Sequence, residues 1–324
     1  MPEAALKKII LGFITSLLTV LTLLNAAEPE NFIPDQSQQL MRLNANSIVK
    51  MPWLKKWLNM ADEKCRETFL VLDELQKSGI APTMVFAGEL WAAKIGKSDK
   101  AGVILIKTAL PEAKFAEFFK EQQNKNKNVD LSITTLAGQT VYIGKYAPGY
   151  KASSAEPFAV FYLAADVLGI MPFTDESGIL LTALKQGGNN VWVKNIDKKS
   201  LCAIIFNDSN RKAKVRSTTA RINLAGPQQK DIEAEAVLIC KNAKTAMRKA
   251  MEMQFIVPSF AGLLFGNDQK LLESLTAGFS AVPYQEKITI KINLPETLQN
   301  KIAGYLADPA NVSKLDIEAL SSQF

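Results

Sequence analysis

Two pairs of serine and lysine have the spacing of an activated nucleophile. Ser47 precedes Lys50 by three residues, and Ser209 precedes Lys212 in the same way. On a helix this spacing places hydroxyl and amine one turn apart, so that the amine can accept the proton of the attacking hydroxyl. Because the first pair lies near a predicted helix start, Ser47 and Lys50 are the candidate catalytic residues of a hydrolase.

The other parts of such an enzyme are missing from the sequence. The serine β-lactamases and penicillin-binding enzymes combine Ser-x-x-Lys with Ser-Asp-Asn and Lys-Thr-Gly motifs. This chain has no Ser-Asp-Asn, and its Lys107-Thr108-Ala109 lacks the final glycine. Ser47 is more simply explained as the cap of a helix.

A partial phosphate-loop motif has a structural explanation. The segment from Trp91 to Ser98 ends like a Walker A loop, but tryptophan stands where the first glycine must wrap the phosphates. We therefore predict a hairpin turn here, and no cofactor.

Paired carboxylates are the other candidates for hydrolysis, by the chemistry of glycosidases. The pairs are Asp62-Glu63, Asp73-Glu74 and Asp175-Glu176. Each lies in or at the start of a predicted helix, where acids favour the helix dipole or solvent. Acidic clusters with calcium-loop spacing are absent from the sequence, and we predict no metal site.

Histidine is absent from all 324 residues. Its absence excludes Ser-His-Asp and Cys-His activation of a nucleophile and removes the commonest zinc ligand. Carboxylates, lysines, tyrosines and hydroxyls remain as catalytic groups. The composition therefore favours a protein that is not an enzyme.

The three cysteines, Cys65, Cys202 and Cys240, cannot all pair within one chain. Three cysteines at wide spacings are not a disulfide framework, and burial as small apolar residues explains all three. If a disulfide forms, we predict Cys202 with Cys240, because both lie in strand-like segments that could be neighbours.

A bend in the first long helix is the candidate partner groove. Trp53 and Trp57 are one turn apart on an apolar helix face, which is typical of core packing. Pro52 interrupts the same helix beside Met51 and could bend it enough to expose part of that face. Met51, Pro52, Trp53 and Trp57 are therefore the predicted groove if the protein binds a partner.

Residues 1–27 have the order of a secretory signal peptide. Lys7 and Lys8 precede an uncharged apolar run from Ile9 to Leu24, and the small residues Asn25-Ala26-Ala27 follow it. The run of about sixteen residues is shorter than the roughly twenty that span a bilayer. We expect cleavage and a soluble periplasmic or extracellular protein, associated with a membrane only if the segment is retained. No cysteine follows the run, so a lipid anchor at the cleavage point is not expected.

The charge of the chain is weakly positive. Lys and Arg number 38 against 32 Asp and Glu, and 48% of the residues are hydrophobic. The basic residues around Arg211 to Arg221 lack interleaved aromatics. We explain them as a solvated face, with an acidic polymer or an anionic membrane surface as the alternative, and we do not expect nucleic acid as a partner.

The order of predicted elements indicates an α+β fold. Short turns between neighbouring strands favour antiparallel sheets with helices on one face. Residues 28–195 would form one ferredoxin-like half, residues 196–308 a second, and residues 309–324 a peripheral tail. The strand-to-helix segments that begin at Gly102 and Ala236 resemble each other, which suggests that the halves are related by duplication.

These observations predict an exported binding protein. Its layout resembles that of many exported bacterial α+β proteins with no assigned activity, a resemblance that rests on no motif and transfers no residue. The expected partner is another protein or an envelope component. The alternative is a hydrolase of envelope polymers or peptides that uses Ser47 and Lys50 or a carboxylate pair.

Export predicts the mass of the secreted protein. We expect the protein recovered outside the cytoplasm to be lighter than the 324-residue chain by its signal segment, because small residues suit the cleaving peptidase. Intact-mass measurement checks this expectation. A secreted form that retained the N-terminus would indicate an anchored protein.

Overall fold

The computed structural model describes residues 27–37, 39–49, 77–95, 102–125, 129–146, 157–207, 214–226, 230–265 and 269–306. The strands within these ranges are β1 Gln39–Leu43, β2 Leu90–Lys94, β3 Gly102–Lys107, β4 Val129–Leu136, β5 Gln139–Tyr146, β6 Phe158–Ala164, β7 Val167–Pro172, β8 Cys202–Asn207, β9 Val215–Ala225, β10 Asp231–Cys240, β11 Phe279–Tyr284 and β12 Lys287–Leu294. The helices are α1 Ala45–Val49, α2 Pro82–Val85, α3 Glu112–Lys125, α4 Ser177–Gln186, α5 Val191–Asn195, α6 Ala243–Phe265, α7 Gln269–Ala277 and α8 Glu296–Leu306. Pro29–Phe32 forms a 3-10 turn.

The twelve described strands form one antiparallel sheet, so the predicted α+β class is confirmed. The strand order is β11-β12-β10-β9-β8-β1-β2-β3-β7-β6-β5-β4. Strand β1 lies in the middle and pairs along its whole length with β2 on one side and β8 on the other. The two predicted halves therefore share one continuous sheet, and a ferredoxin-like duplication is not confirmed.

One face of the sheet, the back face, carries the main core. Trp91, Leu105 and Phe161 are fully buried on this face. They pack in one cluster with leucines of α4, with Val193 of α5 and with Ile33 beyond the 3-10 turn. The apolar positions of α4 recur at helical spacing, which explains why this helix lies flat against the strands.

The opposite, front face is covered by helices at its two ends. Phe115 and Phe119 of α3 contact Tyr142 of β5, with ring centroids 5.0 and 5.2 Å apart. At the other end, Ala246 and Ala250 of α6 pack in a cluster with residues of β11 and β12. Helices therefore pack on both faces of the sheet, and the expectation of helices on one face was wrong.

Glutamines from the same two helices protect the outer strands. Gln123 of α3 donates to the carbonyl oxygen of Leu131 on β4 at 2.8 Å. Gln254 of α6 donates to the carbonyl oxygen of Ala281 on β11 at 3.0 Å, and Pro283 removes a donor from the same edge. Occupied edge groups discourage the addition of further strands.

A buried arginine fixes the central strand. Arg42 of β1 is 2% exposed, donates to the carbonyl oxygen of Ser200 at 2.8 Å and forms an ion pair with Glu89. Glu89 also accepts a hydrogen bond of 2.9 Å from the indole of Trp91. Burial alone would raise the pKa of Glu89, but the hydrogen bonds from Arg42 and Trp91 and the attraction of nearby cations lower it overall.

Substitution of Glu89 by Gln should strongly destabilise the fold. The variant leaves the Arg42 charge buried without its counter-ion, which costs about 3 kcal/mol of unfolding free energy at neutral pH. The control is Glu121→Gln, which removes an exposed pair with Lys125 and should cost about 0.5 kcal/mol or less. Urea denaturation of the two variants measures the difference.

The cost of Glu89→Gln should depend on pH. Because the pKa of Glu89 in the folded chain lies below its ordinary 4.5, its stabilisation is present above pH 4.5 and is lost as the pH falls through the folded value. The difference in unfolding free energy between wild type and variant should therefore shrink in acid. A difference that stayed constant from pH 7 to pH 3 would contradict the assigned role.

Candidate functional site

An apolar row crosses the front face from one edge of the described sheet to the other. It contains one residue from each strand, and each residue is the register partner of the next. From β4 to β11 the row is Ile133, Tyr142, Val160, Ile170, Ile104, Ala92, Met41, Ile204, Ala220, Ala236, Ile290 and Ala281. No residue of this row is charged, and Tyr142 alone has a polar group.

Strict alternation in the strands after residue 200 produces this face. In β9, Ala220, Ile222 and Leu224 point to the front, while Thr219, Arg221 and Asn223 point to the back. The back face of this half is polar: Arg221, Glu235 and Lys291 lie side by side across β9, β10 and β12. The sheet of this half is therefore amphipathic, with its apolar side to the front.

The middle of the row lies in an open trough. Between Ile170 and Ala236 the row crosses seven strands, about 30 Å at the usual strand spacing. Among the described residues, α3 lies at one end of this stretch and α6 at the other. Two hollows lie along the stretch between them. Ile104, on the second strand of this stretch, is 37% exposed.

The two hollows share Ile204 and together form what we name the apolar trough. The larger encloses about 640 Å³ and is lined by Met41, Ala92, Ile104, Phe158, Ile170 and Phe206, among others. The smaller encloses about 140 Å³ and is lined by Ala220, Ile222, Ala234, Ala236 and Ile290, among others. Both volumes together are typical of a site for a small molecule.

Polar side chains in the larger hollow lie at one margin. Gln39 and Lys94 are register partners at the end of β1 and β2, and they belong to its lining. The backbone groups of the floor bond to one another in the sheet. The trough therefore offers apolar side-chain contact along its length and polar contact at that margin.

The predicted serine and lysine site is only partly described. Asn44 accepts a hydrogen bond of 3.0 Å from the backbone nitrogen of Ser47, so Asn44 caps α1 and Ser47 lies inside the helix. Lys50 lies outside the described residues, as do Met51, Pro52, Trp53 and Trp57 of the predicted groove. The nucleophile pair and the groove stay predictions.

The predicted disulfide between Cys202 and Cys240 is not formed. Both cysteines are free and buried. Strand β9 separates β8 from β10, and the register places Cys202 level with Ala234, six residues from Cys240. Two strand spacings alone are about 10 Å, beyond the reach of a disulfide. Burial raises the pKa of both thiols, which keeps them protonated and poorly nucleophilic.

Of the other sequence candidates, Asp62-Glu63, Asp73-Glu74 and Cys65 lie outside the described residues and stay predictions. Asp175 and Glu176 are exposed just before α4, and Trp91 is buried on the back face. The described residues contain no group of three or more acids and cysteines that could hold a metal ion. No helix in the described part of the chain is long and apolar enough to cross a membrane.

Comparisons with known proteins assign no family. No family model matches the chain, and no curated protein matches it. Two structures of TP0453, crystal forms I and IV, align with 87% and 85% of this chain and with 98% and 96% of theirs. Their TM-scores are 0.46 and 0.43 at 10% and 9% sequence identity, too low to support an argument about the site.

Alkylation should distinguish buried free thiols from a disulfide. We expect Cys202 and Cys240 of the native protein to resist iodoacetamide and to react once denaturant exposes them, without any reducing agent. Peptide mass measurement after digestion reads each position separately. A digest containing the two cysteines as one linked peptide pair would contradict the structure.

Proposed function

We propose that the protein is an exported, non-catalytic binding protein that holds the hydrocarbon chain of an envelope component in the apolar trough. The observation that carries this proposal is the unbroken apolar row with its open middle. Apolar side chains that the described residues leave only half-buried across seven strands are costly in water and usually mark a binding site. The predicted export of the chain supports an envelope component as the ligand source.

The shape of the floor favours a hydrocarbon chain over a polypeptide. Ala220 and Ala236 form the floor of the smaller hollow, between the larger side chains Ile222 and Leu238. A helix is about 10 Å wide with its side chains and does not enter a hollow of about 140 Å³. An extended peptide would bury N–H and C=O groups opposite a floor whose own backbone groups are already paired.

Hydrocarbon burial supplies enough free energy for binding. Each methylene removed from water contributes about 0.8 kcal/mol, so a stretch of about ten contributes about 8 kcal/mol before the costs of immobilisation. A polar head group would lie at the margin formed by Gln39 and Lys94. Micromolar affinity corresponds to about 8 kcal/mol, so a chain of about fifteen methylenes reaches it when those costs are about 4 kcal/mol.

The duplication of a ferredoxin-like unit stays a prediction and does not affect this proposal. The trough crosses β1, which belongs to the first half, and β8 and β9, which belong to the second. A site of this kind requires the two halves to share a sheet, whatever their origin.

A large side chain in the floor of the trough should weaken ligand binding strongly. The Ala220→Phe variant places a ring in the smaller hollow of the trough, and we expect its affinity for a fluorescent long-chain fatty acid to fall at least tenfold. The control is Thr219→Phe, which adds the same ring to the exposed back face of the same strand. Fluorescence titration measures both, and thermal unfolding checks that each variant is folded.

Three outcomes contradict the proposal. Wild-type protein that bound no fatty acid would exclude a hydrocarbon ligand. Equal affinities of the Ala220→Phe and Thr219→Phe variants would place the ligand elsewhere. Tight binding of an amphipathic helical peptide that a fatty acid failed to displace would identify a protein partner instead.

A further inference from the structure

We propose that one side of helix α6 docks the protein onto an anionic lipid surface, with Met247, Met251 and Phe255 inserted among the lipids. None of these three side chains lines either hollow of the trough. The docking surface is therefore separate from the proposed ligand site, and either can exist without the other.

Three large apolar side chains form a stripe along α6. In the described part of the chain Met247 is 60% exposed, Met251 51% and Phe255 73%. They are four residues apart, and each step of four turns a helix about 40° beyond a full turn, so the three lie within about 80° of one another. We name this surface the α6 stripe.

A different side of α6 packs on the sheet. Ala246 and Ala250 are 0% and 1% exposed and belong to the core cluster with residues of β11 and β12. Gln254 donates to the carbonyl oxygen of Ala281 on β11. The helix is thus already attached to the sheet without the α6 stripe. A second, exposed apolar side is typical of helices that lie in a membrane interface.

Basic side chains surround the α6 stripe. Lys244 and Arg248 are exposed, and each precedes a residue of the stripe by three positions, which places it on a neighbouring part of the helix surface. The backbone nitrogen of Lys241 donates to the carbonyl oxygen of Lys214 at 3.0 Å. The basic segment before β9 therefore lies beside the start of α6.

Most of the net charge of the chain is concentrated around this helix. Residues 214–216 and 241–255 contain one acid, Glu252, and six basic residues: Lys214, Arg216, Lys241, Lys244, Arg248 and Lys249. Their excess of five positive charges compares with +6 for the whole chain. Lys249 Nζ lies 2.8 Å from Glu252, and this hydrogen bond, with the nearby cations, lowers the pKa of that carboxyl.

An anionic lipid surface satisfies both the apolar and the basic groups. Apolar side chains enter the boundary between head groups and acyl chains, while lysine and arginine remain among the anionic head groups. A nucleic acid would pair with the cations but leave the α6 stripe in water. A lipid surface also adapts to the convex side of a single helix, because it requires no fitted pocket.

Vesicle sedimentation of the protein in its exported form tests the docking. We expect Phe255→Ser to reduce binding to mixed vesicles of phosphatidylcholine and phosphatidylglycerol about tenfold, because the ring no longer leaves water. The matched control is Ile179→Ser, which removes an apolar side chain of α4 that is also 73% exposed and should change binding less than about twofold. Vesicles of phosphatidylcholine alone should bind the wild type about tenfold more weakly.

Three results of this experiment would overturn the docking. The first is a wild type that bound neither kind of vesicle. The second is equal binding of the Phe255→Ser variant and the wild type. The third is equal binding of neutral and anionic vesicles.

Methyl NMR with a paramagnetic lipid in anionic nanodiscs locates the contact. We expect the methyl signals of Met247 and Met251 to broaden strongly and that of Met171, which is 2% exposed in the back-face core, to stay sharp. Met41 lines the trough and reports lipid there. Broadening of Met41 without Met247 and Met251 would overturn the docking while supporting the proposed function.

Stability and mass distinguish a lipid surface from other occupants of the α6 stripe. Phe255→Ser should leave the melting temperature and the molecular mass in solution unchanged, because the ring is exposed. A markedly lower melting temperature would show that another part of the chain covers the stripe. A wild-type dimer that the variant dissociated would show that a second copy covers it. Either result would overturn the docking.

Discussion

The register of β1 between β2 and β8 is the constraint on which the rest of the molecule depends. Side chains alternate between the faces of a strand, so a slip of one residue would exchange the two faces of β1. Arg42 opposes such a slip, because its guanidinium is buried on the back face between Ser200 and Glu89, beside the two neighbouring strands. With Arg42 fixed at the back, Met41 must face the front, where it joins the apolar row.

The two faces of the sheet differ in how far their apolar side chains are buried. The back face gains stability from Trp91, Leu105 and their neighbours, whereas the middle of the front face leaves apolar side chains within reach of solvent. Exposure of that kind gives up hydrophobic stabilisation and carries a risk of aggregation, which a bound ligand would remove. At each edge of the described sheet a glutamine occupies one backbone carbonyl oxygen, that of Leu131 on β4 or of Ala281 on β11.

Local patterns in the sequence predicted much of the secondary structure but not the site. Short turns between neighbouring strands correctly indicated antiparallel pairing and the α+β class. An edge strand such as β11 is hard to predict, because it directly follows a helix and contains Pro283, which argues against a strand. The trough could not be predicted, since it depends on the pairing of β1 with β8, more than 150 residues apart. The disulfide between Cys202 and Cys240 was wrong for a local reason, because β9 lies between their strands.

Methyl NMR of the protein with a long-chain fatty acid tests the central claim most directly. Ile104 and Leu105 are sequence neighbours on opposite faces of β3, the first lining the larger hollow and the second in the back-face core. A ligand in the trough should shift the methyl signals of Met41, Ile104 and Ile204 strongly and those of Leu105 weakly. Shifts that were absent, or that were confined to methyl groups of the back face, would contradict the account.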